Sequence, residues 1–203
     1  ERYLQMCAQD NMLVAQPSTP ASYFHLLREH TYTRPRRPLI VFTPKQLLRL
    51  KAACSPVEDF TSGTFQPVIG ETDDAVLAAA RKQGVDRVLL CSGRVYYDLL
   101  AHRTKTGDTR TAIVRLEQLY PLESSAIAEA LAPFSGAELV WVQDEPANQG
   151  MWPYLALNLP TDLTGGVLPT LVSRPEAAAP AVGTAGVHRA QQEEILRQAF
   201  ARH

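Results

Sequence analysis

A repeated alternation of short apolar runs with segments of helical spacing constrains this chain more than any other feature. Leu39-Ile40-Val41-Phe42 is continuous, partly β-branched and too short for a helix, so it is expected as a strand buried on both faces, as in a parallel sheet. Arg87–Cys91, Ala112–Leu116 and Glu138–Val142 repeat the pattern, with Met12–Ala15 before them and Leu168–Ser173 after. Helical spacing falls between these runs, over Asp74–Gln83, from Val95 through Leu100, over Ser124–Leu131 and near Gly150 to Leu157. A closing helix runs from Val187 to Phe200, with Ile195, Leu196 and Phe200 on one side. Upstream, Gln16-Pro17-Ser18-Thr19-Pro20 marks a helix start. Ser18 or Thr19 can accept the free amides, and Pro20 in the first turn loses no hydrogen bond.

Strands separated by helices of this length form βαβ units with right-handed crossovers, so the fold class is α/β. Two α/β layers are expected, the first of them cut short. Residues 44–70, punctuated by Pro56, Gly63, Pro67 and Gly70, read as irregular chain between two domains, with Lys45–Ala53 as a short basic helix.

A chain of 203 residues, 45% hydrophobic, can bury a full core without staples. Twenty basic residues against 21 acidic ones leave a net charge of -1, which gives no electrostatic reason to expect nucleic acid or an anionic membrane as partner. No apolar run approaches the roughly 20 residues of a membrane span. Cys7, Cys54 and Cys91 are odd in number and widely spaced, so they suit neither a zinc knuckle nor a disulfide framework and fit a reducing cytoplasm. The chain opens on Glu1 rather than Met and is expected to be a piece of something longer.

Candidates for chemistry are few. Ser92-Gly93 directly after a strand resembles the start of a phosphate cradle, but neither glycine-rich phosphate motif occurs and glycine in such a turn serves backbone angles. The histidines His25, His30, His102, His188 and His203 make no metal-binding spacing, and His188 reads as a surface or capping residue. No G-x-S-x-G elbow is present. Arg34, Arg36 and Arg37, with Lys45, Arg49 and Lys51 downstream, are the densest positive charge, suited to a phosphate or an acidic partner or simply solvated. The most unusual segment is Trp141 to Trp152, where two acids, amides and tryptophans crowd the carboxyl end of a strand. In open α/β sheets that end is where sites form. The alternative is structural, with tryptophan in a subunit interface and amides bonding neighbouring loops.

In combination, several stretches resemble the carboxyl-terminal part of the thiamine diphosphate-dependent first component of 2-oxoglutarate dehydrogenase. They are Glu1 to Gln5, Gln16 to Ala21, Tyr23 to Arg28, Arg37 to Val41, Thr43-Pro44-Lys45, Gly63-Thr64-Phe65, Cys91-Ser92-Gly93 with Val95-Tyr96-Tyr97, Arg115 to Pro121, Gln143 to Trp152 and Arg174-Pro175. The wording of Asn148-Gln149-Gly150 and Trp152-Pro153 is most similar to actinobacterial members.

The resemblance implies a transketolase-like architecture: residues 1–60 ending a pyrimidine-binding domain, 61–73 a linker, and 74–203 a transketolase carboxyl-terminal-type domain. It implies a homodimer that decarboxylates a 2-oxo acid, 2-oxoglutarate or alternatively 2-oxoadipate. The succinyl group then passes to a lipoyl-bearing acyltransferase. Thiamine diphosphate and magnesium belong to the full-length enzyme. The glycine-aspartate-glycine motif that holds them is absent, since Gly107-Asp108-Thr109 is not a match, and the activating glutamate and the histidine before a Ser-Ser-Ala-Arg run are expected upstream. No catalytic, cofactor-binding or metal residue of the family is therefore expected in this segment, whose role is dimerisation and scaffolding. A non-catalytic interaction module with the same fold is the competing expectation.

Some members also bind acetyl-CoA as an activator. Of that set only Gln118 matches, while Leu13, Glu29, Ser125 and Ala126 stand where threonine or arginine is expected, which removes the cations a nucleotide phosphate needs. Acetyl-CoA activation is accordingly predicted to be weak or absent. Calorimetric titration of the full-length dimer should show no micromolar binding.

Overall fold

A computed structural model describes residues 1–201. The elements, in order, are α1 (Arg2–Gln5), β1 (Leu13–Ala15), α2 (Pro20–Tyr32), β2 (Leu39–Val41), two 3-10 turns (Lys45–Arg49 and Lys51–Ala53), α3 (Val57–Thr61), β3 (Val68–Ile69) and α4 (Asp74–Gln83). They continue with β4 (Arg87–Cys91), α5 (Val95–Thr106), β5 (Thr111–Leu116), β6 (Gln118–Tyr120), α6 (Ser124–Leu131), β7 (Glu138–Pro146), α7 (Trp152–Asn158), β8 (Thr170–Arg174) and α8 (Ala185–Ala199). The strands form two sheets, one ordered β2-β1-β6 and the other β3-β5-β4-β7-β8. In the larger sheet β5, β4, β7 and β8 run parallel, and β3 joins β5 antiparallel at one edge.

The continuous apolar runs have the physical reason expected of them. Along β4, Val88 and Leu90 face one core, with Val76 of α4, Ile127 of α6 and Leu155 of α7. Leu89 and Cys91 face the other, with Val95 and Leu99 of α5 and Ile195 and Ala199 of α8. Successive side chains on a strand alternate faces, so a strand covered by helices on both sides must be apolar throughout. At the start of α2, Pro20 occupies the first turn and the Thr19 hydroxyl accepts from the Ser22 amide at 3.1 Å.

Three expectations need correction. Leu39–Phe42 is not buried on both faces: the strand ends at Val41, and each of its residues is only half-buried because β2 lies at a sheet edge. Lys45–Ala53 is two 3-10 turns rather than one helix, since Leu50 between them is extended (φ -85°, ψ 109°). The stretch 44–70 is less irregular than its punctuation suggests, for it holds α3 and the edge strand β3. Strand β6, antiparallel to β1, has no counterpart in the apolar pattern. It is three residues long and opens on a glutamine, so it carries no periodicity to detect.

Behind β5, the side chains of Glu71 and Arg103 form an ion pair with 2% and 3% of their surfaces exposed. Glu71 Oε2 also accepts the Ile113 amide at 2.8 Å, and Oε1 accepts those of Thr72 and Asp73. Removing one partner of a buried pair leaves an uncompensated charge. Arg103→Met is predicted to lower stability by about 3–5 kcal/mol, read as a reduced urea midpoint.

Candidate functional site

The seam between the two sheets is built on one residue. β5 ends at Leu116, β6 begins at Gln118, and Glu117 between them is fully buried. Its Oε2 accepts hydrogen bonds from the Ser18 amide and the Ser22 hydroxyl, both at 2.7 Å. Its main chain is held as well, accepting from the Gln16 amide at 2.8 Å and donating to the Pro67 carbonyl at 2.9 Å. Two strand positions away, Arg115 lays its guanidinium over the Tyr96 ring, 4.1 Å from the centroid, and donates to Ser18 Oγ at 3.0 Å. The Tyr97 hydroxyl donates to the Ser18 carbonyl at 2.7 Å, and burial pushes its pKa up to about 12, so it stays a donor. The start of α2 is thus clamped by a cation from β5, an anion from the link after it and a phenol from α5. The Ser22 hydroxyl is engaged by the Glu117 carboxylate and Ser18 Oγ by Arg115, deep in the seam, so the cluster is a clamp. Among the described residues Oε1 of Glu117 and Nε of Arg115 have no hydrogen-bond partner, which leaves one carboxylate oxygen holding the helix.

A second feature lies where the strand order turns back. From β4 the chain crosses to β5 on one side and later to β7 on the other, so a crevice opens outside the carboxyl ends of β4 and β7. Ser92, after β4, donates to Gln16 Oε1 at 2.9 Å. Gly93 holds φ +65°, and a Cβ there would stand 2.6 Å from Gln16 Nε2. The Ser92-Gly93 turn therefore receives the Gln16 side chain against it, and is not the open cradle considered for a phosphate.

From β7 comes Gln143, 3% exposed, whose Oε1 accepts from the Trp141 indole at 2.9 Å and the Trp152 amide at 3.0 Å. Its Nε2 donates to the carbonyls of Gln149 at 2.8 Å and Pro146 at 3.0 Å. Gly150, at φ +71°, closes the loop so tightly that a Cβ would meet the Gln143 amide at 3.0 Å. Asn148 and Gln149 both donate to the Ala177 carbonyl, at 3.1 and 2.8 Å. The Trp141–Trp152 segment is thus a loop wound around one glutamine, with Trp141 buried in the core. Glu145 lines the crevice, and burial, then the neighbouring Asp144 charge, push its carboxyl up to about 7.

The remaining candidates are dispersed. Gln118 is buried, and its amide donates to the Pro121 carbonyl at 2.8 Å and to Glu123 at 3.3 Å. Leu13 is on β1, Glu29 is exposed on α2, and Ser125 and Ala126 are on α6. Arg34 donates to the Thr31 and Thr33 carbonyls, Arg37 lies 3.8 Å from Asp10, and Arg36, Lys45, Arg49 and Lys51 are exposed. His25 Nε2 lies 2.7 Å from the Asp59 carbonyl, His102 stacks on Phe200 at 4.6 Å, His188 is exposed on α8, and His203 lies outside the described residues. Cys91 is buried, which pushes its thiol up to about 12. Among the described residues no group of three or more His, Cys, Asp or Glu is placed to hold a metal ion. Gly107, at φ +66°, ends α5 as its left-handed cap.

Sequence reasoning missed Glu117, Arg115 and Tyr97. The signal available was a charged pair at i, i+2 at the end of an apolar strand, where one face should be polar only if it meets something. Glu117→Ala is predicted to cost about 1–3 kcal/mol for each donor it strands, the Ser18 amide and the Ser22 hydroxyl. Glu117→Gln should cost less, and denaturation of both variants checks the order.

Comparison with known proteins places this geometry. The family described as 2-oxoglutarate dehydrogenase C-terminal matches residues 54–200. The chain is 46% identical to the 2-oxoglutarate dehydrogenase E1/E2 component of Corynebacterium glutamicum over 202 residues, 98% of this chain and 16% of that protein. It is 45% identical to the 2-oxoglutarate dehydrogenase E1 component of Cupriavidus necator over 203 residues, 100% of this chain and 21% of that protein. It is also 46% identical to the multifunctional 2-oxoglutarate metabolism enzyme of a Mycobacterium species (strain JLS) over 205 residues, 99% of this chain and 16% of that protein. The chain thus spans 16–21% of the length of these relatives. Matched along nearly its whole length, with the seam and the Gln143 loop inside the matched stretch, the chain belongs to the 2-oxoglutarate dehydrogenase family as its C-terminal part.

Proposed function

We propose that this chain is the scaffolding segment of a thiamine diphosphate-dependent 2-oxoglutarate dehydrogenase, a cytoplasmic homodimer that decarboxylates 2-oxoglutarate and passes the succinyl group to a lipoyl acceptor on a partner acyltransferase. The observation that carries this reading is the likeness, over 98% of the chain, to a protein named for that activity. The division into residues 1–60, 61–73 and 74–203 is part of the same proposal. So is the assignment of thiamine diphosphate and magnesium to portions of the enzyme outside this chain.

The seam supports a scaffolding role. In this reading α2 belongs to the domain that receives the cofactor's pyrimidine, and the clamp from Glu117, Arg115 and Tyr97 braces that domain against the carboxyl-terminal one. The surface supports association: Tyr23, Phe24 and Leu27 on α2 are 38%, 42% and 45% exposed, with Tyr32, Leu48 and Val57 more exposed still. Apolar side chains grouped on one helix favour burial against another protein surface. The inward-facing, hydrogen-bonded amide of Gln118 supports the absence of an acetyl-CoA response.

Thiamine-dependent release of carbon dioxide from 2-oxoglutarate is expected from the full-length protein and not from the 203-residue chain. In the full-length protein kcat/KM for 2-oxoglutarate should exceed that for 2-oxoadipate, and light scattering should report a dimer. A native polypeptide no larger than this chain would defeat the enzyme reading and leave a binding module.

A further inference from the structure

The two atoms left without a partner in the seam, Oε1 of Glu117 and Nε of Arg115, are a hydrogen-bond acceptor and a hydrogen-bond donor. They belong to one anion and one cation, Glu117 fully buried and Arg115 only 7% exposed. Arg115 lies in β5 and Glu117 directly follows that strand, so the two stand at positions i and i+2. Such positions share a face of an extended chain, roughly 6–7 Å apart, within reach of an arginine side chain. Yet among the described residues neither one belongs to an ion pair.

What holds them apart is the start of α2. The Arg115 guanidinium is kept at Ser18 Oγ, 3.0 Å away, and over the Tyr96 ring. The Glu117 carboxylate is kept by the Ser18 amide and the Ser22 hydroxyl, both through Oε2. Each ion is therefore bound to the same turn, and the atoms left over are the donor and the acceptor of a direct bond between them. Lifting that turn away would strand two buried charges if both stayed where they are, and an uncompensated buried charge is costly. An arginine fork that meets a carboxylate instead makes a strong, charge-assisted pair.

We propose that Arg115 and Glu117 form a latch with two positions. Docked, each holds the turn at Ser18 separately. Released, the guanidinium leaves Ser18 Oγ for the Glu117 carboxylate, engaging Nε and Oε1, so neither charge is stranded while the start of α2 lifts. A plain clamp only resists opening, whereas this pair lowers its cost. The seam is then a joint that opens transiently at the start of α2 while the rest of the fold stays closed.

Amide hydrogen exchange of the full-length protein, read residue by residue, tests the latch. The Ser18 amide reports release, and the Leu89 and Leu90 amides of β4 report opening of the whole fold. In wild type Ser18 is expected to exchange faster than β4. Arg115→Met takes a hydrogen bond from Ser18, so a plain clamp would open more readily and the gap between Ser18 and β4 would widen. For the latch the same variant narrows that gap by about tenfold or more, because release now leaves Glu117 with neither its donors nor a cation. A gap unchanged or widened overturns the proposal. A second variant, Ser18→Ala combined with Ser22→Ala, covers the case in which Arg115→Met does not fold. It removes the hydroxyl that holds Arg115 and one donor to Glu117. In the crystal structure of the full-length protein carrying both changes, the guanidinium is expected within about 3 Å of the Glu117 carboxylate. A guanidinium that remains apart from that carboxylate also overturns the proposal.

Discussion

Burying a carboxylate is among the most expensive things a fold can do, and this one does it at Glu117, between its two sheets. The cost is offset only because the start of α2 brings an amide and a hydroxyl to 2.7 Å. It follows that α2 cannot be placed anywhere else. The Tyr97 hydroxyl and the Arg115 guanidinium then meet the same turn at Ser18. Much of the small sheet's position follows from that one turn. β1 enters the turn, β2 pairs with β1, and β6 leaves Glu117 to pair with β1 from the other side.

The larger sheet solves a different problem. Its helices cover both faces, so its interior is apolar and its chemistry is pushed to the carboxyl ends of the strands. There the polar residues organise one another. Gln16 crosses from the small sheet to Ser92, and Gln143 gathers the loop that follows β7. A third polar chain, Arg94 to Asp98 to Gln192 to Arg174, ties α5 to α8 and β8, and burial pushes the Asp98 carboxyl up within it.

The sequence disclosed this architecture where periodicity was strong. Arg87–Cys91, Asp74–Gln83 and Ser124–Leu131 are elements with the bounds their patterns suggest, because each is long enough to show a face. β6 was hidden, since three residues beginning with glutamine have no pattern and their pairing is set by β1, a hundred residues away in the chain. The unusual composition of Trp141–Trp152 drew attention to the right end of the sheet but not to its arrangement, because the partners of Gln143 are mostly main-chain atoms, which no residue type announces. Glu117 was passed over as one charge among many. Only the turn at Ser18, far upstream, gives it meaning.

β5 and β6 are separated by a single residue, and that residue is pinned through both its side chain and its main chain. The two sheets are therefore not beads on a string. The stretch from Thr111 to Tyr120 works like a shaft through two bearings, so a twist imposed at the small sheet reaches the large one as rotation of the same backbone rather than as slack in a tether. If a signal passes between these sheets, torsion along that shaft is the channel the covalent structure provides.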